Sequence, residues 1–198
     1  MTFERLGEEH LPMVDAFCCV ETDEMLHGYN SAARKRIRKH SREMERFFKE
    51  EALSEQENGM STTYVMLSDD SSQIVAYLSL CNDAIHLEFQ ERADEGITYH
   101  SAPSLKIARL AVHTAQMGHG YGRLLVERSA AQAVIVREFS GVCFLTLDCY
   151  EHRLPFYEHF GFVKNLHQPV QLEYDSPISM RIRLDTFLES IVQRYEPF

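Results

Sequence analysis

Residues 105–125 read LKIARLAVHTAQMGHGYGRLL, and the fold turns on this stretch. Leu105 to Val112 is a short apolar run of the kind that makes a buried strand. From Leu124 and Leu125 onward, through Ala131, Val134 and Ile135 to about Phe139, the apolar spacing predicts a helix. Between the two lies a loop of alternating glycines: Met117, Gly118, His119, Gly120, Tyr121, Gly122, Arg123. A strand, a glycine loop and a helix in that order turn backbone N–H groups inward at a helix N-terminus, where phosphate binds. Two better-known phosphate loops are set aside by spacing. No Gly-Lys-Ser/Thr follows, and the glycines recur as G-x-G-x-G, not G-x-G-x-x-G. Taken alone, three glycines would serve equally well as a tight turn.

The pattern extends outward in both directions. Downstream, Val142 to Leu147 after Gly141 is a near-continuous apolar run, expected of a strand buried on both faces. Pro155 opens a short helix that Gly161 closes. Ile178, Met180, Ile182 and Leu184 alternate with polar residues, predicting a half-exposed strand, and Asp185 to Tyr195 a final helix. Upstream, a strand is expected at Thr2 to Leu6 and a helix from His10, with Pro12 in its first turn. Ser31 to Leu53 has the spacing of one or two amphipathic helices, ended by Asn58 and Gly59. Thr62 to Leu67 and Ile74 to Leu80, separated by Asp69, Asp70, Ser71 and Ser72, predict a hairpin. Residues 81–100 are mixed and polar, with a strand suggested at Ile85 to Phe89.

Two of these segments carry a family resemblance. Leu110, Ala111 and Val112, followed by Met117 to Leu125, resemble the central motif of GNAT acetyltransferases, and Leu154 to Phe162 (LPFYEHFGF) resembles the closing motif of that family. They stand in the family's order and spacing, and the element order resembles it from Phe3 to Leu184. The resemblance implies an α+β fold, an α/β three-layer arrangement with a mixed, mostly antiparallel central sheet flanked by helices, in one domain over residues 1–198. It implies an N-acetyltransferase with acetyl-CoA as cosubstrate, acting by direct attack of a primary amine. Leu110 and Val112 would then hold the pantetheine arm, and Met117, Gly118, His119, Gly120, Tyr121, Gly122 and Arg123 the pyrophosphate. The chain departs from the family at Met117, where Gln or Arg is usual, and at Tyr150, where an Asn often contacts the cofactor.

Acetyl transfer needs donors for the oxyanion and a proton for the departing thiolate. A phenol of pKa ~10 can protonate a thiolate whose acid has pKa ~8.5 at a cost of about 2 kcal/mol. Tyr157 is the candidate acid, because the resemblance places the family's motif tyrosine there; the alternative is a packed tyrosine with a bonded hydroxyl. The base stays open among His86, Glu88, His100, His113, Asp148 and a water chain. Cys149, beside Asp148 and near His152 and His159, raises a covalent acyl-cysteine route against the simpler reading of a buried thiol.

Composition sets the remaining expectations. Apolar residues make up 44% and charged residues 25%, close to the globular average. The longest apolar runs are far below the roughly 20 residues a spanning helix needs, and the N-terminus lacks an apolar signal region, so a cytoplasmic protein with no membrane partner is expected. Five cysteines without a C-x-x-C pair and ten histidines without an H-E-x-x-H arrangement predict reduced thiols and no metal site. Net charge is -10 with neutral histidines, which disfavours a polyanion. The expected partner is therefore a small-molecule or peptide amine, with nucleic acid disfavoured and a homodimer admissible. Arg34, Lys35, Arg36, Arg38, Lys39 and Arg42 form one basic window, either the solvated face of a helix or an anionic-partner site. The opening helices and the hairpin also resemble GNAT toxins that acetylate aminoacyl-tRNA, although such toxins are usually smaller and more basic. A non-catalytic acyl-CoA-binding sensor is the other alternative.

Overall fold

The computed structural model describes residues 2–168 and 176–195, with side chains through 192. Its strands are β1 (Phe3–Arg5), β2 (Thr62–Leu67), β3 (Ile74–His86), β4 (Ser101–Val112), β5 (Phe144–Cys149), β6 (Val163–Lys164) and β7 (Ile178–Arg183). Its helices are α1 (Leu11–Val14), α2 (Ser31–Arg46), α3 (Ala52–Glu57), α4 (Phe89–Glu95), α5 (Tyr121–Arg137), α6 (Leu154–Glu158) and α7 (Leu184–Tyr195), and a π-helical turn at Phe47–Glu51 joins α2 to α3. The seven strands make one mixed sheet in the order β1-β2-β3-β4-β5-β7-β6, flanked by helices. The pair β4 and β5 is parallel; β1 with β2, β2 with β3, β5 with β7 and β6 with β7 are antiparallel. The expected mixed, mostly antiparallel α+β architecture is present. No described helix is long and apolar enough to cross a membrane.

The chain forms two compact units, Met1–Leu80 with Ala108–Val126, and Cys81–Ile107 with Glu127–Phe198. In the first, the apolar face of α2 continues through the π turn and brings Phe47 and Phe48 inward, against Phe17, Val65, Ile74, Tyr77 and Ala111. Tyr77 is fully buried, its ring stacked on Phe48 at 4.2 Å and its hydroxyl donating to the Met44 carbonyl at 2.8 Å. An aromatic pair of this kind adds about 0.5–1.5 kcal/mol beyond the area it buries. The bonded hydroxyl keeps the buried phenol from being a penalty, and desolvation holds its pKa well above the ordinary value.

In the second unit, Ile85, Leu87, Ala102 and Phe144 form one apolar cluster, while Phe160 and Phe162 pack their ring edges against Phe187 of α7. Residues 81–100 behave differently from the sequence expectation. β3 runs without a break to His86, and a helix, not a strand, follows from Phe89. Its start is fixed by the Glu88 N–H donating to Glu91 Oε2 at 2.8 Å, and its end by Gly96 in the left-handed conformation. The late strand β7 also departs from simple alternation. Arg181, expected on a solvent face, is buried, because Glu91 and Asn165 accept from its guanidinium. Such a pair repays its desolvation only when both partners are present.

Candidate active site

The glycine loop follows β4 in the first unit. Its approach is tied down before any ligand is considered: the His113 N–H donates to the Val75 carbonyl at 2.8 Å, and the Thr114 hydroxyl reaches the carbonyls of Cys18 and Val20 at 3.1 and 3.0 Å. Ala111 is buried while Leu110 and Val112, one residue to each side, are half-buried and share the opposite face of the strand. The parallel register between β4 and β5 ends at Ile107 with Leu147, whereas β4 runs on to Val112.

Met117 packs against the first unit's core. The residue that departs from the family pattern thus serves the interior, leaving the backbone as the loop's means of holding a ligand. Gly118 and Gly120 have φ of +85° and +86°, a conformation that a side chain strains, and a Cβ added at either would meet nothing within 4 Å. Both lie exposed beside His119. Gly122, by contrast, already belongs to α5. The first backbone bond of that helix runs from the Leu124 N–H to the Gly120 carbonyl at 3.1 Å, so the amides ahead of Leu124 belong to the open end of a 17-residue helix. The positive end of the helix dipole lies there as well. His119 Nδ1 is 3.2 Å from the Gln116 carbonyl, which holds the loop's own side chain back along the chain.

Tyr157 sits in the second unit, on α6, whose first turn contains Pro155. It is 8% exposed, with its ring against the edges of Phe156 at 5.0 Å and Phe162 at 5.8 Å. Among the described residues its hydroxyl makes no hydrogen bond, unlike that of Tyr77. Burial first, and Cys149 second, push its pKa far above the ordinary phenol value, so it stays protonated at any working pH.

The remaining candidates separate by their partners. Asp148 accepts from Lys106 Nζ at 2.7 Å; burial alone would lower the lysine's pKa, but the ion pair outweighs it and the net shift is upward. His113 Nδ1 accepts from the Ala115 N–H. His86, Glu88 and His100 are exposed and lie together in the second unit. Cys149 is buried, and desolvation, followed by Asp148 and Glu158, raises its thiol to about 12. A thiol in that state has almost no nucleophilic thiolate at neutral pH, which argues against an acyl-cysteine route.

Two results are expected from Cys149. Iodoacetamide applied to the native protein at pH 7.5 should label the half-exposed Cys81 well ahead of Cys149, read by peptide mass spectrometry; equal labelling would contradict the buried-thiol reading. Because the folded pKa lies above the ordinary 9.0, the stability that comes from keeping this thiol neutral is complete below pH 9 and is lost as pH rises toward 12. Cys149→Ala should therefore flatten the alkaline fall in melting temperature.

A family model for the acetyltransferase (GNAT) domain matches residues 60–164, which include β4, the glycine loop, α5 and α6. The chain belongs to the GNAT family. This GNAT protein is an acetyl-CoA-dependent acetyltransferase, with acetyl-CoA as its cosubstrate. Solved structures of the same fold include AtaT complexed with acetyl-methionyl-tRNAfMet, at 16% identity and TM-score 0.70, covering 96% of this chain and 98% of that one. A mutant AtaT toxin bound to the C-terminus of the antitoxin AtaR and acetyl-CoA aligns at 15% identity and TM-score 0.69, covering 97% and 98%. The KacTA–DNA complex aligns at 19% identity and TM-score 0.62, covering 97% and 98%.

These structures correct the expectation of a small-molecule or peptide amine partner with nucleic acid disfavoured. Proteins of this fold are seen with tRNA, with an antitoxin segment and with DNA. Net charge misled because a total of -10 carries no information about where the charges lie. On α2, Lys35, Lys39, Arg42 and Arg46 recur at i, i+4, i+7 and i+11 and are exposed, with Arg36 beside them, while Ile37 and Ser41 face inward. Arg34 and Arg38 are different: they are half-buried and donate to the carbonyls of His27, Tyr29 and Glu21 and to Asp23. The basic window thus contains two tethers for residues 21–29 and a separate cationic stripe. Helical spacing applied to the lysines and arginines as well as to the apolar positions would have found the stripe in the sequence.

Proposed function

We propose that this GNAT acetyltransferase moves the acetyl group of acetyl-CoA onto the α-amine of an aminoacyl-tRNA. The observation that carries the reading is the exposed stripe of Lys35, Lys39, Arg42 and Arg46 on a chain whose total charge is strongly negative. Like charges held on one helical face cost stability, and among the described residues neither Lys35, Lys39 nor Arg42 makes an ion pair. An anionic partner would repay that cost, and the solved fold relative with acetyl-methionyl-tRNAfMet adds support.

In this reading the amides of Gly118 to Arg123, at the positive end of α5, take the pyrophosphate, and the backbone of Leu110 to Val112 pairs with the pantetheine arm. The neutral amine nitrogen attacks the thioester carbonyl, the C–N bond forms, the C–S bond breaks, the thiolate takes its proton from Tyr157, and the proton lost by the nitrogen passes through water to restore the Tyr157 hydroxyl. The protonated hydroxyl, unbonded among the described residues, suits that task. Its raised pKa makes it a weaker acid, and a thiolate likewise desolvated on leaving would be more basic, which would narrow the gap.

Charge reversal tests the reading. Lys35→Glu, Lys39→Glu and Arg42→Glu together should raise KM for aminoacyl-tRNA at low salt by at least about tenfold. They should also reduce the slope of log affinity against log salt by about 2–3, nearly one unit for each phosphate no longer neutralised. These side chains are exposed, so the melting temperature should hold. A parent-like salt slope in the triple variant would remove the stripe from the substrate site.

A further inference from the structure

We propose that His86, Glu88 and His167 form a binding site for a divalent transition-metal ion of the zinc type. One donor atom from each lies within 4.8 Å of the other two. Glu88 Oε1 stands between the imidazoles, 3.9 Å from His86 Nε2 and 3.8 Å from His167 Nδ1. The two rings are tilted against each other with centroids 5.0 Å apart. Two neutral imidazoles and one carboxylate are a donor set that zinc accepts, with water in the fourth position.

The three donors are brought together by backbone that is independently fixed. Along the end of β3 the burial alternates, with Leu87 fully buried and its N–H donating to the His100 carbonyl at 2.8 Å. His86 and Glu88, on either side, must then share the solvent face. The Glu88 N–H is held by Glu91 at the start of α4. His167 arrives from after β6, bracketed on both sides. The Leu166 N–H donates to Glu91 Oε1 at 2.9 Å, and Gln168 exchanges bonds with Ser179, donating to its carbonyl at 3.0 Å and accepting from its N–H at 2.8 Å. Glu91 is itself buried and paired with Arg181, so the anchor common to Glu88 and His167 is rigid.

Donors around a tetrahedral zinc stand about 3.3–3.6 Å apart, given metal–ligand bonds of about 2.0–2.2 Å. The side chains need to close by roughly 1 Å, and all three are exposed enough to re-aim without disturbing the core. Without a metal the same contacts amount to solvent-screened surface ion pairs, which would not by themselves favour convergence. The pattern is invisible to a local motif search because His86 ends β3, Glu88 caps the start of α4, and the third donor is far along the chain.

The test uses the whole chain, stripped with a chelator, and zinc chloride alone in a calorimeter. One zinc per chain is expected. His167→Ala and Glu88→Gln should each weaken it by at least about tenfold, since loss of an outer-shell partner alone costs 10–100-fold. Cobalt(II) in place of zinc should give the visible absorption of a low-symmetry site, abolished in His86→Ala. Circular dichroism confirms that these surface variants fold. Absence of zinc binding, or parent-like binding in the His86→Ala/His167→Ala double variant, overturns the proposal.

Discussion

Gly120→Glu should lower acetyl-CoA affinity by about ten-thousandfold while the protein remains folded. At φ +86° any side chain is strained, costing about 1–2 kcal/mol. The added Cβ meets no protein atom, so the loss would not come from a clash within the fold. It would come from a carboxylate placed where a pyrophosphate is to sit; two unit charges 4 Å apart near a protein surface repel by about 4 kcal/mol, or roughly three powers of ten. Gly120→Ala separates the two contributions and should cost about tenfold, the strain alone. Gly122→Ala should be milder still, because Gly122 is not in the left-handed region. Calorimetric titration with acetyl-CoA, with melting temperature as the check on folding, reads all three. Parent-like affinity in Gly120→Glu would remove the loop from the cofactor site.

The second large effect concerns Tyr157. Tyr157→Phe keeps the ring against Phe156 and Phe162 and removes only the hydroxyl, so stability and acetyl-CoA affinity should change little. Loss of a general acid should lower kcat by about 10²–10⁴-fold with KM nearly unchanged. Single-turnover rates are the measurement, because slow product release could conceal the chemical step. The sign of the pH effect follows from the raised phenol. A donor held protonated beyond its ordinary value of ~10 loses no activity of its own as pH rises from about 8 to 10. A variant within about threefold of the parent would return Tyr157 to a packing role, whereas an alkaline fall in that window that Tyr157→Phe lacks would contradict only the raised pKa.

The motifs that could be read in the sequence share one property: their meaning is local. The strand, glycine loop and helix at 105–137 follow from apolar run length, glycine alternation and helical spacing, all set within a few residues. Pro155 and Gly161 mark the ends of α6 for the same reason, and Gly161 indeed takes the left-handed conformation. What was not legible depends on distant partners. Arg181 alternates like a surface residue, and partners far along the chain, Glu91 ninety positions away and Asn165, make its burial tolerable. Residues 81–100 carried no strong period because β3 leaves its fully buried half at Cys81 and continues half-exposed, so one strand shows two patterns. The basic window was visible as composition, but its division into tethers and an exposed stripe depends on which carbonyls Arg34 and Arg38 reach.

Acetylation of an aminoacyl-tRNA is decided by supplying the purified protein with radiolabelled acetyl-CoA and charged tRNA. Label should appear on the aminoacyl group, be released with the amino acid when the ester is hydrolysed, and be absent from uncharged tRNA. Thiol release in the same reaction should match the label transferred. Binding of acetyl-CoA without label on any charged tRNA, across a full set of aminoacyl groups and at low salt, would contradict it.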